Sequence, residues 1–397
     1  MNTTSLRLAA LAALTFCATH AANAQKEQSE FVAHEWGTFT SIAGNDGKAV
    51  WWYPWAVPTE LPSFVEHFQT RDFKVNLSGT IRMETPVLYF YSSQETKISV
   101  HVSFSRGLIT EWYPHATKFT PSGLPLGKAE WAVLKTGETD GSVTWDSVAI
   151  RPGDGTLLER EVHESRYYAA RRTASSPLSV AAPSGAQHEK FLFYRGVSSE
   201  ASPVMAWSLA NGAVRVESVS GDTIAKIFLF ERRGTLAGFR SVASLDNAVT
   251  LEAPDLNGSV EAASEEVLAA LMDHGLYPDE ARAMVETWKD SWFEEGTRLL
   301  YIVSRTFVDR VLPLSISPVP SEITRVFVGR LELVSPRTRM AIESALANGD
   351  EGGLARYNRF LEPILGILAD RETNPAVLTL IRDRLQRPYV ALAAQAR

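Results

Sequence analysis

Residues 82–113 hold the pattern that most restricts the fold of this chain, because three strand-like segments follow one another with only short polar turns between them. The segments are Arg82–Tyr91, Lys97–Phe104 and Leu108–Tyr113, each rich in the β-branched and aromatic residues that favour strands. Strands joined by so few residues pair antiparallel. The stretch therefore predicts an antiparallel meander.

The turn at Ser105–Gly107 sets the expected register of the second and third strands. If Phe104 lies opposite Leu108, then His101 faces Glu111 across the ladder, and directly opposed Cβ atoms are about 5 Å apart. An imidazole would then lie beside a carboxylate on the polar face of the sheet. On the same register Glu84 falls on the apolar face, so it meets Glu111 only if a bulge re-aims one of them.

Strand signals recur along the N-terminal half of the chain. Phe31–Ile42 alternates between two faces, and turn sequences such as Asp140-Gly141 and Asn211-Gly212 separate further short segments of β type. About ten short strands with turns at this spacing are typical of packed antiparallel sheets. We expect residues 25–253 to form an antiparallel, sandwich-like β-rich domain.

The hydrophobic period changes from two residues to 3.6 after Ala253-Pro254. Pro278 is well placed to open a helix, because its fixed φ suits the first helical position. Apolar segments at Leu299–Val303 and Arg325–Leu333 indicate that strands return briefly. Residues 254–397 are therefore predicted to be a mainly helical α/β region whose strands can complete the N-terminal sheet.

The first 24 residues read as a secretory signal peptide. They contain one early charge, Arg7, then an apolar run from Leu8 to Phe16, and small residues at Ala22-Asn23-Ala24. The single cysteine, Cys17, lies within this leader, so the predicted mature chain is cysteine-free and has no disulfide. No other segment reaches the roughly 18 apolar residues of a membrane span. We expect an exported soluble protein, periplasmic or extracellular, with no transmembrane segment.

Charge and motifs remove several classes of function. The net charge is −7, which argues against a nucleic-acid partner because phosphate binding needs clustered Lys and Arg. The sequence has no G-x-S-x-G elbow, no G-x-x-x-x-G-K-[ST] phosphate loop, no G-x-G-x-x-G turn and no H-E-x-x-H zinc motif. The common hydrolases, NTPases, dinucleotide enzymes and zinc proteases are thereby excluded.

The candidate catalytic residues are two carboxylates and the predicted partner of one of them. Glu111 and Glu35 would act in acid–base chemistry if aromatic surroundings raise a carboxyl pKa, and His101 would assist Glu111. A structural ion pair is the alternative interpretation of the same residues.

Aromatic and basic residues near these carboxylates suggest a binding surface. The segment 51–55, WWYPW, is too interrupted by proline for a central strand and too aromatic for an ordinary solvent loop. It can serve either as a core plug or as a platform for a sugar ring. The candidate substrate-binding residues are Trp51, Trp52, Trp55, Tyr113 and Arg82.

A metal site is a further hypothesis. His34, His101 and His115, with Glu111 or Glu35, would suit zinc or copper by ligand type, although they lack the spacing of a known metal motif. A divalent metal is therefore the one cofactor that the sequence suggests.

Three functions remain open at this point. The first is binding or hydrolysis of a carbohydrate or related polymer on the aromatic, carboxylate-bearing face. The second is a non-catalytic role as a cell-envelope or interaction protein, with that face contacting an envelope component. The third is metal binding through histidine and glutamate.

Overall fold

The computed structural model describes residues 31–53, 61–68, 77–120, 134–135 and 140–386. The predicted signal peptide, residues 1–24, lies outside these ranges, and so does Trp55. Several sheets occupy the N-terminal part and helices concentrate in the C-terminal part, which confirms the predicted fold class. No described helix combines the length and the apolar character needed to cross a membrane.

The strands within the described ranges follow the alternating segments of the sequence. They are β1 (Phe31–Ile42), β2 (Glu66–His67), β3 (Leu77–Ser78), β4 (Ile81–Ser92), β5 (Thr96–Phe104), β6 (Gly107–Tyr113), β7 (Lys118–Thr120), β8 (Leu134–Lys135), β9 (Gly141–Ile150), β10 (Leu178–Ala182), β11 (Gly185–Glu189), β12 (Leu192–Ser198), β13 (Val204–Ser208), β14 (Val214–Ser218), β15 (Ile224–Arg233), β16 (Leu236–Leu245), β17 (Ala248–Leu251), β18 (Gly296–Ile302), β19 (Leu314–Ser317) and β20 (Glu322–Leu333).

The helices begin where the period of the sequence changes. They are α1 (Val260–Asp273), α2 (Pro278–Trp292), α3 (Arg305–Val311), α4 (Pro336–Asn348), α5 (Glu351–Ala355), α6 (Leu361–Ala369) and α7 (Pro375–Gln386), with short 3-10 helices at Arg166–Arg171 and Asn358–Phe360. Proline occupies the first position of α2, as predicted, and also of α4.

A nine-stranded sheet forms the middle layer, in the order β16-β15-β18-β20-β1-β4-β12-β6-β2. The C-terminal strand β20 runs parallel to β1 at the centre, whereas the other neighbours in this sheet are antiparallel. The predicted return of strands after residue 254 is therefore confirmed, and these strands share one sheet with the N-terminal strands. A six-stranded, a three-stranded and a two-stranded sheet complete the described strands.

The two faces of the middle sheet are covered differently. One face packs against the six-stranded and three-stranded sheets through a core that includes Phe90, Val102 and Val216. The other face packs against α1, α2 and the 3-10 helix at Arg166–Arg171. Helices α4 to α7 build a further cluster at the end of β1. The predicted sandwich is thus correct, with a helical layer added on its outer face.

The predicted pairing of His101 with Glu111 is wrong, because β5 and β6 belong to different sheets. Strand β5 pairs with β9 and β19, whereas β6 pairs with β12 and β2. The residues between them bond to other elements: Ser105 N–H donates to the carbonyl of Val311 at 2.8 Å. Arg106 has a φ of 48°, and the chain turns there from one sheet into the other.

A bulge in β4 also changes the predicted faces. The register between β1 and β4 shifts between Trp36 and Thr38, and Thr85 has a φ of 47°. One extra residue reverses the face on which side chains before the bulge lie, relative to those after it. Arg82 and Glu84 therefore lie on the helix-covered face, whereas Glu84 was predicted to lie on the apolar face near Phe104.

Candidate functional site

Charged side chains cross the helix-covered face of the middle sheet from β18 to β6. Two more reach this face from outside the sheet, just after α2 and in the 3-10 helix at Asn358–Phe360. We call the set the charged belt: Arg82, Glu84, Glu111, Arg195, Glu294, Arg298, Arg330, Glu332 and Arg359. Six of these nine residues are fully buried, and the other three are partly exposed. Five arginines and four glutamates leave the belt with a small positive excess.

Glu84 and Arg359 form the best-defined pair of the belt. Arg359 Nη1 and Nη2 donate to the two carboxylate oxygens of Glu84 at 2.9 and 2.8 Å. This is the bidentate geometry in which guanidinium binds carboxylate most strongly. Burial raises the pKa of Glu84, but the charges of Arg359 and Arg82 outweigh burial and hold this pKa well below its usual range.

Arg82 lies where positive charge accumulates. Its electrostatic neighbours are Glu84, Arg359, Arg195 and Glu111. Burial lowers the pKa of Arg82, Glu84 raises it, and Arg359 and Arg195 lower it further, so that it reaches about 10. Three guanidinium groups, those of Arg82, Arg195 and Arg359, therefore share this end of the belt with the carboxylates of Glu84 and Glu111.

Glu111 and Arg195 lie opposite each other on β6 and β12. Both are buried, and Arg195 Nη2 donates to Thr85 Oγ1 at 3.3 Å. Glu111 accepts a hydrogen bond from Thr110. The belt therefore brings together Arg82 and Glu111, two of the residues predicted for the site, although through a register that the sequence did not predict.

The far end of the belt is closed by α2. Arg330 donates to Glu294 at 2.6 Å and to Ser291 Oγ at 2.9 Å, and Arg298 Nε donates to Glu332 at 2.9 Å. Arg298 also donates to the backbone carbonyl of Glu294 at 2.6 Å. An arginine at this position satisfies carbonyls that a helix end leaves without partners.

Phe360 contacts an aromatic ring and two guanidinium groups beside the belt. The rings of Trp52 and Phe360 are stacked at 5.7 Å, and the guanidinium groups of Arg330 and Arg359 lie 4.4 and 4.9 Å from the Phe360 ring centre. Within the described ranges, Trp52 Nε1 and Arg330 Nε are buried donors without a hydrogen-bond acceptor. Buried polar atoms without a partner are uncommon and call for an explanation.

The three residues predicted as catalytic lie on three different sheet faces. Glu111 belongs to the charged belt. His101 is exposed on the six-stranded sheet, with its Nδ1 2.8 Å from Thr144 Oγ1. Glu35 is buried between the sheets, where Tyr194 donates to one of its oxygens and Arg325 Nε donates to the other at 2.5 Å. These three side chains do not form one catalytic group.

The three histidines predicted as metal ligands also have separate environments. His34 Nδ1 lies 2.9 Å from Glu280 Oε2, whereas His115 Nδ1 lies 2.7 Å from Glu66 Oε1. His101 is on the outer face of the six-stranded sheet. The described part of the chain contains no group of three or more His, Cys, Asp or Glu side chains arranged to hold a metal ion.

The predicted aromatic platform divides into exposed and buried residues. Trp51 is 47% exposed, whereas Trp52 is buried against Phe360. Tyr113 is buried beside the ring of Phe64 at 4.7 Å, and burial together with Glu189 raises its pKa well above the usual range. Trp51 is therefore the described residue of this group that offers the most ring surface to solvent.

The belt includes residues that sequence reasoning missed. Arg330 and Glu332 occur two positions apart in the apolar segment VFVGRLELV, and Arg298 begins another apolar segment. Charges at alternate positions of an otherwise apolar strand were the available signal. Their convergence depends on β20 inserting next to β1, which no local pattern indicates.

No family model matches the chain, and no curated protein matches it. The solved structures with some likeness include the Fcho1 Mu homology domain of Danio rerio with bound Eps15 peptide, at 7% identity and a TM-score of 0.30, covering 78% of this chain and 98% of that chain. Another is the yeast delta-COP-I mu-homology domain complexed with Dsl1 WxWxV peptide, at 9% identity and a TM-score of 0.24, covering 77% and 97%. Both TM-scores are below 0.5, so neither structure establishes the fold or the role of this chain.

Proposed function

We propose that this protein binds an acidic carbohydrate, or a related polymer bearing carboxylate groups, at the end of the charged belt where Arg82 and Arg359 are partly exposed. The observation that carries the proposal is the grouping of three guanidinium groups, those of Arg82, Arg195 and Arg359, around the carboxylates of Glu84 and Glu111. Guanidinium is the side-chain group best suited to bind carboxylate in two parallel hydrogen bonds. A ligand carboxylate would offset the repulsion among these arginines.

Energetics support a functional role for the belt. Buried ion pairs are often no more stable than well-packed apolar residues, because removing charges from water costs several kcal/mol per ion. A row of charged side chains across the core face of a sheet is therefore weakly explained by stability. Binding a charged ligand gives these residues a purpose that apolar residues could not serve.

Aromatic groups beside the belt favour a carbohydrate over a small inorganic anion. Trp52 and Phe360 stack next to Arg359, and Trp51, the residue before Trp52 in the sequence, is 47% exposed. Indole rings offer a large apolar surface together with a polar N–H group, which suits the ring of a sugar. We propose binding without hydrolysis, since the residues predicted as catalytic lie on different sheet faces and do not meet at one site.

We also propose that the protein is exported and meets this ligand outside the cytoplasm. The support is the pattern of the first 24 residues, with its apolar run and small residues before Gln25. Mass analysis of protein recovered from outside the cytoplasm should show Gln25 at the N-terminus. Recovery with Met1 intact would contradict the export proposal without affecting the binding proposal.

The binding proposal is tested by calorimetric titration with polygalacturonate and with its fully methyl-esterified, neutral form. We expect wild-type protein to bind the acidic polymer, more weakly at high salt because the attraction is ionic. Arg82→Gln should weaken binding at least about tenfold, since hydrogen bonds to charged groups contribute about 1.5–3 kcal/mol. The matched control is Arg240→Gln, an exposed arginine of β16 that pairs with Asp255.

The results decide the proposal directly. Loss of binding in the folded Arg82→Gln protein, with Arg240→Gln unchanged, would support it. Equal binding of the neutral polymer would refute the requirement for carboxylate, and unchanged binding by Arg82→Gln would place the site elsewhere. Thermal unfolding of both variants shows whether each is folded.

A further inference from the structure

A cleft separate from the charged belt opens between the three-stranded sheet and the C-terminal helices. It has a volume of about 420 Å³. Its walls come from the chain after β1, the end of β13, the junction of β20 with α4, and the end of α6. Ligand pockets typically measure about 300–1,000 Å³ and are mainly apolar with a few polar groups. The size of this cleft therefore suits a small molecule.

The chemistry of the walls is one-sided. Leu209, Leu333 and Ile367 contribute apolar surface, Trp207 contributes an indole ring, and Arg339 and Arg371 contribute positive charge. Among its described lining residues, none is an aspartate or a glutamate. Apolar surface next to two cations without an acid in the lining fits a ligand with an apolar body and an anionic group.

The mouth of the cleft is held in place by hydrogen bonds. Arg371 Nη2 donates to the carbonyl of Asn45 at 2.5 Å, and Asn45 Nδ2 donates to the carbonyl of Ile367 at 2.8 Å. Trp207 is packed onto Gly47, where a Cβ atom would lie 2.4 Å from Trp207 Cε2. Gly47 also has a φ of 78°, which glycine adopts without strain. A site whose walls are fixed before binding loses less entropy when a ligand enters.

We propose that this cleft binds a small amphiphilic carboxylate, with its apolar part against Trp207 and its carboxylate near Arg339 and Arg371. Arg339 also lies 3.3 Å from Glu343 and 3.6 Å from Glu372. Arg371 is exposed at the mouth, and it is the better residue to change because it does not bridge two acids. The ligand can be aliphatic or aromatic, and the two kinds are distinguished by the probes.

The test uses octanoate, 2-naphthoate and the neutral 1-octanol as probes, with binding followed by calorimetry on the full-length protein. We expect one saturable site for at least one carboxylate, with binding at least about tenfold tighter than that of 1-octanol because hydrogen bonds to charged groups are strong. Preference for octanoate would indicate a fatty acid, and preference for 2-naphthoate an aromatic acid. Arg371→Gln should weaken binding of the preferred probe roughly tenfold.

Two variants and two controls make the result specific. Ala210→Trp places a large side chain at an exposed lining position and should abolish binding of either probe by filling the cleft. Arg240→Gln and Arg305→Gln change exposed arginines of β16 and α3 that pair with Asp255 and Asp309, and both variants should bind like wild type. Equal affinity for 1-octanol, wild-type binding by both Arg371→Gln and Ala210→Trp, or no saturable binding below about 1 mM of either carboxylate would overturn the proposal.

Discussion

Strands β5 and β6 follow each other directly in the sequence, yet they present their polar residues to opposite environments. His101 on β5 faces solvent and contacts the hydroxyl groups of Thr144 and Ser103. Glu111 on β6 is 2% exposed and lies opposite Arg195. The two residues between the strands, Ser105 and Arg106, carry the chain from one sheet into another. Alternation thus shows which residues share a face, but it does not show which face meets water.

The difference has an energetic consequence. A polar group in water needs no protein partner, whereas a buried charge is costly unless another charge or several hydrogen bonds compensate it. Every substitution in the charged belt should therefore lower the free energy of unfolding, whereas substitutions around His101 should not. Variants of the belt and of the exposed sheet face should therefore differ in their free energy of unfolding.

Replacement of Glu84 should have the largest effect. Glu84→Gln removes the negative charge between Arg359 and Arg82, and breaking a buried ion pair costs about 3–5 kcal/mol in free energy of unfolding. Urea denaturation measures the loss. Glu217→Gln is the matched control, because Glu217 pairs with Arg215 at an exposed site where such pairs contribute about 0–1 kcal/mol. Similar losses in the two variants would contradict the contrast between buried and exposed charge.

Low pH should remove part of the stabilisation that Glu84 provides. The folded-state pKa of Glu84 lies below its ordinary value of 4.5, so its contribution to stability is fully present above that value. It is lost progressively as pH falls toward the folded-state pKa. The difference in unfolding free energy between wild type and Glu84→Gln should be constant near neutral pH and should narrow below about pH 4.5. Urea denaturation at several pH values measures it, and a difference that widens in acid would refute the role of Glu84.

These two predictions could not have come from the sequence. Local patterns predicted β1, β4, β5, β6 and the start of α2, because alternation, proline position and turn residues are local properties. The partner of each strand depends on distant parts of the chain. Arg359 lies 275 positions from Glu84, and their meeting requires α4 to α6 to fold back over the end of β1.

The bulge at Thr85 shows the same limit on a smaller scale. Pro86 in RMETPVLYFY was visible in the sequence, but the inserted residue that places Arg82 and Glu84 on the helix-covered face was not. The aromatic segment was predicted to be either core or platform; Trp52 is buried, whereas Trp51 is largely exposed, and the platform role stays a prediction. The sequence thus identified candidate residues of the site better than it predicted their burial and their contacts.

A substitution at the corner between β5 and β6 should have a moderate effect on the free energy of unfolding. A Cβ atom at Gly107 would lie 2.8 Å from Phe104 Cδ1 and 2.9 Å from the carbonyl oxygen of Val197. Gly107→Ala should therefore lower the free energy of unfolding by about 1–3 kcal/mol, the usual range for overpacking. Gly155→Ala, with no atom within 4 Å of the added Cβ, is the control for thermal unfolding and should be nearly neutral. Equal stability of the two variants would mean that the corner adjusts freely.

The smallest effect is expected at His101. His101→Ala removes an exposed imidazole whose partners, Thr144 and Ser103, can bond to water instead, so stability should change by no more than about 0.5 kcal/mol. Binding of polygalacturonate should also be unchanged, because the belt lies on a different sheet. Thermal unfolding and calorimetric titration of the variant measure both quantities. Loss of binding by a fully stable His101→Ala protein would move the ligand to the exposed face of the six-stranded sheet, and the charged belt would then be a structural feature rather than the site.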